Sequence, residues 1–397
     1  MHKPMPLTEE LKLIIDRFRA AGHSANIVGG AVRNFLLGRE IDDYDITTSA
    51  TPAETEEIFG DFRIIETGIK HGTVTVMIHG SAFEITTYRS DGEYLDNRHP
   101  SSVSFTTSLA DDLARRDFTV NAMCYNSYDG YTDLYGGLED LRTGTIRAVG
   151  DPETRFREDA LRIMRALRFA SVLGFRIDEE TERAIYKTKG LLKNVSPERI
   201  FVEWKKLVSG EGAYEVLSRY REVIAVVIPV TLDLRLPDRE RFLAADFASR
   251  QNAIFYLSSP DAACDFDGTM RSLRTDNATR LLGYNILKAI DNVSLRSVTD
   301  VCLALHAYGY DTVLGVLELG LLLGKYGESE ENSFDEAISR DLPYKISHLD
   351  LRGGDLTALG ITGTEVGRLL ELAIIAVIEG KCENEREALL AYIKAVL

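Results

Sequence analysis

The hydrophobic pattern of this 397-residue chain changes near Asp151, and this change constrains the fold more than any other feature. Upstream of it, segments 26–28 and 73–78 have the composition of strands, whereas 31–37 and 53–59 carry apolar residues at helical spacing. Downstream, strand patterns nearly vanish. The downstream segments with helical spacing are 157–173, 179–188, 197–208 and 366–377. The sequence therefore predicts an α+β fold, in which a small mixed sheet forms a head and everything after it is helical.

Charge and composition limit what the chain can bind. The formal net charge of −16 excludes binding of nucleic acid by a generally basic surface, so any RNA site must be local. Arginines are concentrated between 155 and 176, although a solvated helix face is the alternative interpretation of such a run. No segment approaches the roughly 18 to 20 apolar residues of a membrane span, and no signal-peptide pattern is present. We therefore expect a cytoplasmic protein without a membrane partner.

A glycine pair stands where a predicted strand gives way to a predicted helix, in Gly29-Gly30-Ala31-Val32-Arg33. Unpaired backbone N–H groups and the helix dipole at such a junction attract anions. Glycine lets a phosphate approach the backbone closely, and Arg33 adds a charged donor to the same position. The pattern predicts a phosphate site, with an ordinary turn as the alternative.

A pair of aspartates follows about a dozen residues later. Asp43 and Asp45 are two apart on a predicted strand and so should project from one face of it. Adjacent carboxylates repel each other unless a cation neutralises them, and oxygen ligands with open positions suit Mg²⁺ that also carries substrate phosphates. Glu84, in the alternating run 82–86, is a candidate third carboxylate on a neighbouring strand. A glycosyltransferase metal motif and a plain turn are the alternatives for the aspartate pair.

These two motifs resemble those of the polymerase-β-type nucleotidyltransferases. Three further segments make the chain similar to the bacterial CCA-adding enzymes in particular: Arg115-Arg116-Asp117-Phe118-Thr119-Val120-Asn121-Ala122, Glu158-Asp159-Ala160-Leu161-Arg162, and Thr67-Gly68-Ile69-Lys70-His71-Gly72-Thr73. The resemblance extends from about 26 to 208 and resumes faintly near 354–356. It implies an enzyme that adds C, C and A to the 3′ end of tRNA from CTP and ATP, with release of pyrophosphate and with Mg²⁺ as cofactor.

The resemblance also implies an architecture and a set of site residues. It predicts a nucleotidyltransferase head at 1–150, a helical neck at 151–208, a helical body at 209–345 and a tRNA-binding helical tail at 346–397. The metal ligands fall on Asp43 and Asp45; Glu84 remains a further catalytic candidate from the alternation at 82–86 alone. The nucleotide-binding residues are Gly29, Gly30, Arg33, Arg116, Asp117, Asn121, Asp159, Arg162, Arg165 and Arg168. The chain departs from the family at Asn34, where the family usually has Asp, and at Trp204, where an aliphatic residue is commoner.

Asp159 and Arg162 offer a physical means of choosing a base without a nucleic-acid template. Residues three apart share one face of a helix, so we expect the two side chains to act together. Asp159 would accept a hydrogen bond from the exocyclic amino group of cytosine or adenine, and Arg162 would donate to the adjacent ring nitrogen. Uracil and guanine would leave these buried groups unpaired. The alternative is that the acidic pair at 158–159 only complements a helix dipole.

Segment 88–100 is polar and rich in turn-forming residues, which predicts a loop near the site. In the family such a loop accompanies A addition, so we expect the chain to use ATP as well as CTP. The closest rival is an enzyme that adds only A, followed by a poly(A) polymerase. A noncatalytic RNA-binding scaffold would fit the helical half, but neither it nor a glycosyltransferase explains Asp159 and Arg162.

Overall fold

The computed structural model describes residues 3–66, 68–69, 72–91 and 103–397. The chain divides into two compact units, Met1–Pro229 and Val230–Leu397. The finer division into head, neck, body and tail stays a prediction. Most of the loop expected at 88–100 and part of the motif at 67–73 lie outside the described residues.

The first unit contains the described strands of the chain. They are β1 (Ala25–Val28), β2 (Asp45–Thr48), β3 (Arg63–Ile65), β4 (Thr73–Ile78), β5 (Ser81–Thr87), β6 (Arg89–Asp91), β7 (Val103–Phe105), β8 (Met123–Asn126), β9 (Gly130–Asp133), β10 (Thr145–Ile146) and β11 (Arg176–Ile177). Its α-helices are α1 (Glu9–Ala20), α2 (Gly30–Leu36), α3 (Pro52–Ile58), α4 (Leu109–Ala114), α5 (Gly137–Thr143), α6 (Pro152–Glu158), α7 (Leu161–Leu173), α8 (Glu179–Thr188), α9 (Pro197–Val208) and α10 (Ala213–Ile224).

Within the described residues, seven of these strands form one mixed sheet in the order β3-β4-β5-β2-β1-β8-β9. β2 runs parallel to β5 and antiparallel to β1. In this register Asp45 is paired with Val28 on one side and with Glu84 on the other. The predicted mixed-sheet head is confirmed, and the sheet brings Glu84 to the strand next to Asp45, as the alternation at 82–86 predicted.

Helix α1 shows why the head folds as one core. Leu11, Ile14 and Phe18 are completely buried and recur at helical spacing, so they form one apolar face that joins the core under the sheet. Thr8 caps the helix, because its hydroxyl oxygen accepts from Leu11 N at 3.3 Å. Glu9 and Glu10 in the first turn complement the helix dipole.

The helices that follow the head in the first unit are joined to it by packing and by a short parallel ladder. β10 pairs with β11, so the end of the head is hydrogen-bonded to the residues that follow α7. α7 packs against α9, whose Ile200, Trp204 and Leu207 are buried at helical spacing. The helices predicted at 179–188 and 197–208 are confirmed as α8 and α9. Arg165 of α7 reaches the head, where it donates to Asp117.

The described residues of the second unit form helices joined by turns and irregular segments, without a strand. Its α-helices are α11 (Arg239–Ala244), α12 (Phe247–Ser258), α13 (Ala262–Ser272), α14 (Asn277–Ala289), α15 (Val298–Tyr308), α16 (Tyr310–Leu323), α17 (Glu328–Ser339), α18 (Gly353–Thr357), α19 (Thr364–Ile378) and α20 (Arg386–Val396). Separate apolar clusters form around Leu305 and Phe334 and around Leu369 and Ile393. No helix in the described parts of either unit is long and apolar enough to cross a membrane.

Candidate active site

The turn between β1 and α2 requires glycine. Gly29 has φ +73° and ψ −126°, a backbone conformation that residues with a side chain rarely adopt. A Cβ atom at this position would lie 3.4 Å from Arg116 Nη1 and 3.9 Å from Asp45 Oδ2. The backbone of the predicted phosphate turn therefore faces both an arginine and one of the predicted metal ligands.

Asp43 and Asp45 are close in the chain but do not lie on one strand, so that part of the prediction is wrong. β2 begins at Asp45, opposite Val28, and Asp43 lies in the preceding segment. On the β1 side the ladder ends at the pair Val28 and Asp45, because β1 gives way to the turn at Gly29. Asp43, Asp45 and Glu84 nevertheless line one cavity of about 430 Å³. Its lining also includes Asp42 but no lysine or arginine.

The carboxylate of Asp45 is electrostatically strained in this cavity. Partial loss of solvent at the end of β2, together with the charges of Asp43 and Glu84, raises its pKa, and Arg116 opposes the effect. A bound cation would relieve this repulsion. Elsewhere in the described chain, as here, no three His, Cys, Asp or Glu side chains converge into a complete ion-binding set.

Asp112 on α4 holds the neighbouring arginines. It is completely buried, and its Oδ2 accepts from Arg116 Nη2 at 3.2 Å and from Thr47 Oγ1 at 3.1 Å. Its Oδ1 accepts from Arg115 at 2.6 Å. Burial opposes ionisation, but the charges of Arg115 and Arg116 outweigh it and lower the pKa of Asp112. Arg116 Nε is buried without a hydrogen-bond acceptor among the described residues, so this arginine has a donor left for a ligand.

Three arginines surround one aromatic ring at the junction of the head and α7. The guanidinium carbons of Arg168, Arg33 and Arg165 lie 3.9, 5.0 and 5.4 Å from the ring centre of Phe169. Burial and the charge of Arg168 lower the pKa of Arg33 to about 10. Burial is also the largest cause lowering the pKa of Arg168. A bound anion would relieve the repulsion between these cations.

Asp117 and Asn121 hold two of these arginines in place. Asp117 Oδ2 accepts from Arg165 Nε and Nη2 at 2.7 and 2.5 Å, and its Oδ1 accepts from Phe118 N and Asn121 Nδ2 at 2.8 and 3.0 Å. Asn121 Oδ1 in turn accepts from Arg33 Nη1 at 2.5 Å. Burial opposes ionisation of Asp117, but Arg165 and these hydrogen bonds outweigh it and lower its pKa to about 2. Both predicted residues therefore orient arginines from buried positions.

Asn34 and Glu203 complete the surroundings of the arginine cluster. Asn34 Oδ1 accepts from Arg33 Nε and Nη2 at 3.1 and 2.8 Å, so the departure from the family at this position keeps an acceptor for Arg33. Glu203 on α9 is buried, and its Oε2 lies 2.6 Å from Arg168 Nε as an ion pair. A cavity of about 700 Å³ opens beside the cluster, lined by Arg33, Arg168 and also Asp42. Asp42 thus borders both this basic cavity and the carboxylate cavity.

The prediction that Asp159 and Arg162 share one face of a single helix is wrong. α6 ends at Glu158 and α7 begins at Leu161, and Asp159 between them has extended backbone angles of φ −136° and ψ 103°. The break arises because Asp159 Oδ1 accepts from Leu161 N at 3.1 Å, a local bond that competes with the helix. The two residues remain adjacent, since Arg162 N donates to Asp159 O at 3.0 Å.

Both side chains are held by partners that sequence reasoning missed. Arg162 is buried and donates to Glu158 Oε2 at 2.6 Å and to Arg115 O at 2.8 Å. Asp159 accepts from Arg199 of α9 at 3.3 and 2.8 Å. The charge of Asp117 is the main cause of the raised pKa of Arg165, burial opposes it, and the charges of Glu203 and Asp159 add smaller effects in the same direction as Asp117. The predicted base-selecting pair therefore lies within electrostatic range of the arginine cluster.

Other missed residues left partial signals in the sequence. Asp112 precedes Arg116 by four residues in a helical segment, the spacing of an ion pair. Glu203 interrupts the apolar face of a predicted helix, next to Trp204. An acidic residue on such a face requires a cationic partner. Arg199 left no comparable signal.

Comparison with known proteins agrees with the geometry. The model of the family described as "Poly A polymerase head domain" matches residues 25–147, and that described as "Probable RNA and SrmB- binding site of polymerase A" matches 174–225. The chain is 36% identical to a CCA-adding enzyme of Lactobacillus helveticus, over 99% of this chain and 96% of that one. It is 37% identical to a CCA-adding enzyme of Leuconostoc citreum, over 97% and 95%. Its fold matches a crystal structure of the Bacillus stearothermophilus CCA-adding enzyme in complex with CTP, with a TM-score of 0.77, 31% identity and 98% coverage of each chain.

Proposed function

Because the chain belongs to the family of CCA-adding enzymes, we propose that it adds C, C and A to the 3′ end of tRNA, with CTP and ATP as substrates and pyrophosphate as the leaving group. No nucleic-acid template takes part. The cytoplasm, where tRNA and both nucleotides occur together, is the proposed location. The residue assignments that follow are part of the same proposal.

One observation supports it above the others: a cavity lined by acidic residues adjoins a cavity lined by basic residues. Asp42 borders both cavities, and Arg116 lies against Gly29 and Asp45 beside the acidic one. Nucleotidyl transfer needs both environments next to each other, because carboxylates hold the cations while arginines bind the triphosphate. A noncatalytic scaffold for RNA has no need of the acidic cavity.

The donor chemistry of the acidic cavity fits a divalent cation. Its charged lining groups are carboxylates, the oxygen ligands that Mg²⁺ prefers, and burial together with repulsion from Asp43 and Glu84 raises the pKa of Asp45. We assign Asp43 and Asp45 as ligands for Mg²⁺ and retain Glu84, in register with Asp45, as a further catalytic candidate. When bound, divalent ions favour deprotonation of the attacking 3′-hydroxyl and stabilise charge on the phosphates.

The arginines bind and orient the triphosphate. Burial disfavours the charged forms of Arg33 and Arg168. The charge of Arg168 adds to this effect at Arg33, and the charge of Arg165 adds to it at Arg168; a polyphosphate relieves both effects. Arg116 supplies a further donor from its buried Nε, next to the backbone of Gly29. Asp117 and Asn121 fix Arg165 and Arg33, so the charges are in place before the nucleotide arrives.

Asp159 and Arg162 read the base edge. The Asp159 carboxylate accepts a hydrogen bond from the exocyclic amino group, which cytosine and adenine possess and uracil lacks. Arg162 uses both Nη1 hydrogens and one Nη2 hydrogen within the described structure, so Nε and the second Nη2 hydrogen remain for the ring nitrogen. Guanine and uracil present a ring N–H at that position instead. This N–H and the N–H groups of Arg162 are both donors, so no hydrogen bond forms between them.

The metal assignment is tested by replacing single carboxylates. Asp45→Asn and Asp43→Asn should lower incorporation of labelled CMP into a tRNA lacking CCA by about 100- to 1,000-fold, because the cation site is lost. The arginine cluster is untouched, so CTP binding measured without Mg²⁺ should persist. The control is Asp61→Asn, which changes an exposed aspartate paired with Arg17 in the same unit. Wild-type rates in both site variants would overturn the assignment.

A further inference from the structure

The Asp159 carboxylate is almost fully engaged before any nucleotide binds. A carboxylate offers about four lone-pair positions for hydrogen bonds. Oδ1 accepts from Leu161 N at 3.1 Å and from Arg199 Nη1 at 3.3 Å. Oδ2 accepts from Arg199 Nη2 at 2.8 Å. Three of about four positions are therefore occupied, and the remaining one is on Oδ2.

Arg199 is well placed to fix the orientation of that carboxylate. It projects from α9, whose neighbouring Ile200 and Trp204 are buried, so the backbone at its base is held by the core. Its guanidinium hydrogen-bonds to Asp159 alone within the described residues. The side chains of Arg199 and Asp159 are only 28% and 19% exposed, so water competes weakly for this pair.

We propose that Arg199 is a positioning residue that fixes the Asp159 carboxylate and thereby sets the discrimination between nucleotides. This rests on the proposed role of Asp159 in reading the base. Two parallel hydrogen bonds from one planar guanidinium define both the rotation of the carboxylate and the direction of its free acceptor position. That position then points at the exocyclic amino group. Arg199 itself does not contact the nucleotide in this arrangement.

The proposal predicts an uneven effect on different nucleotides. CTP and ATP use the free position on Asp159, so loss of Arg199 should lower their kcat/KM, mainly through a higher KM. UTP has a keto oxygen instead of the amino group and never gains that bond, so its kcat/KM should stay the same. The preference for CTP over UTP should therefore fall by the factor that CTP loses. We expect roughly 10- to 100-fold, by analogy with the loss of residues that orient the ligands of metal ions.

The test compares Arg199→Met and Arg199→Lys with the wild type, using CTP, ATP and UTP on one tRNA substrate. Arg199→Lys keeps the charge but not the two parallel bonds. Its preference for CTP over UTP should therefore lie between those of the wild type and Arg199→Met. The matched control is Arg219→Met, because Arg219 forms a similar two-bonded pair with Glu182 between helices of the same unit. Fluorescence of the single tryptophan, Trp204, verifies that each variant is folded. If CTP and UTP lose activity equally in both Arg199 variants, Arg199 is structural and the proposal is overturned.

Asp159→Ala separates failure of this inference from failure of the proposed function. If Asp159→Ala loses the preference for CTP and Arg199→Met adds nothing further in the double variant, both ideas are supported. If Asp159→Ala loses the preference but Arg199→Met keeps it, Asp159 reads the base without Arg199 and only this inference is overturned. If Asp159→Ala keeps the preference, the proposed base reader itself is wrong, and the inference falls with it.

Discussion

Asp117→Asn should destabilise the first unit although it changes a single functional group. The replacement keeps the shape of the side chain but removes the charge that faces Arg165. Asparagine has only one accepting oxygen, so it cannot accept from Arg165 and from Phe118 and Asn121 at the same time. The pKa of Asp117 is about 2 in the folded protein, against an ordinary value of about 3.9. This difference corresponds to about 2.6 kcal/mol of unfolding free energy at neutral pH.

The pH dependence of this contribution follows from the direction in which folding shifts the pKa of Asp117. The folded pKa is lowered, so the contribution is complete well above pH 4 and is lost as the pH falls towards 2. At pH 3 about half of it, roughly 1.3 kcal/mol, should remain. The stability difference between the wild type and Asp117→Asn should shrink in the same way between pH 7 and pH 3.

Urea unfolding followed by the fluorescence of Trp204 measures this effect. Trp204 is the only tryptophan in the chain and is completely buried on α9, so its signal reports on the first unit. Asp61→Asn is the control, since Asp61 makes two hydrogen bonds to Arg17 but is exposed, and exposed pairs contribute little. If Asp117→Asn lowers the unfolding free energy no more than Asp61→Asn does, or lowers it equally at pH 3 and pH 7, the stabilising contribution assigned to Asp117 is refuted.

Two further substitutions test the arginine cluster and the glycine turn. Glu203→Gln should lower the unfolding free energy by about 3 kcal/mol, because it leaves the buried Arg168 uncompensated. CTP should then raise the melting temperature of this variant more than that of the wild type, because the triphosphate supplies the missing negative charge. Equal shifts in the two proteins would argue against phosphate binding at Arg168. Gly29→Ala should cost about 1 to 3 kcal/mol, owing to its positive φ, and should also lower activity by displacing Arg116. A fully stable and active Gly29→Ala protein would contradict the tight turn.

Local sequence signals predicted the elements whose causes are local. α9 begins at Pro197, a residue suited to the first turn of a helix, and buries apolar residues at regular spacing along its length. α8 begins after Asp178, which caps it, and its bounds match the prediction. Strands β1 and β4 were also predicted from their apolar runs, and the glycine pair located the turn at Gly29.

The features that were predicted wrongly depend on longer-range causes. The apolar spacing of 157–173 continues through Asp159, so nothing in the pattern revealed the break between α6 and α7. Asp43 lies outside β2, whose ladder with β1 ends at the pair Val28 and Asp45. Where a strand begins depends on such pairing rather than on local composition. Arg199 pairs with Asp159 across 40 residues of sequence, and only the packing of α9 on α7 brings them together.

The most direct test of the central claim is extension of tRNA 3′ ends. The purified protein is incubated with Mg²⁺, CTP and ATP on three tRNAs that lack A, CA or CCA, and the 3′ ends are sequenced. We predict that all three tRNAs are extended to a complete CCA. Extension of only the tRNA that already ends in CC would make this an A-adding enzyme, and no extension of any of the three would contradict nucleotidyl transfer to tRNA altogether.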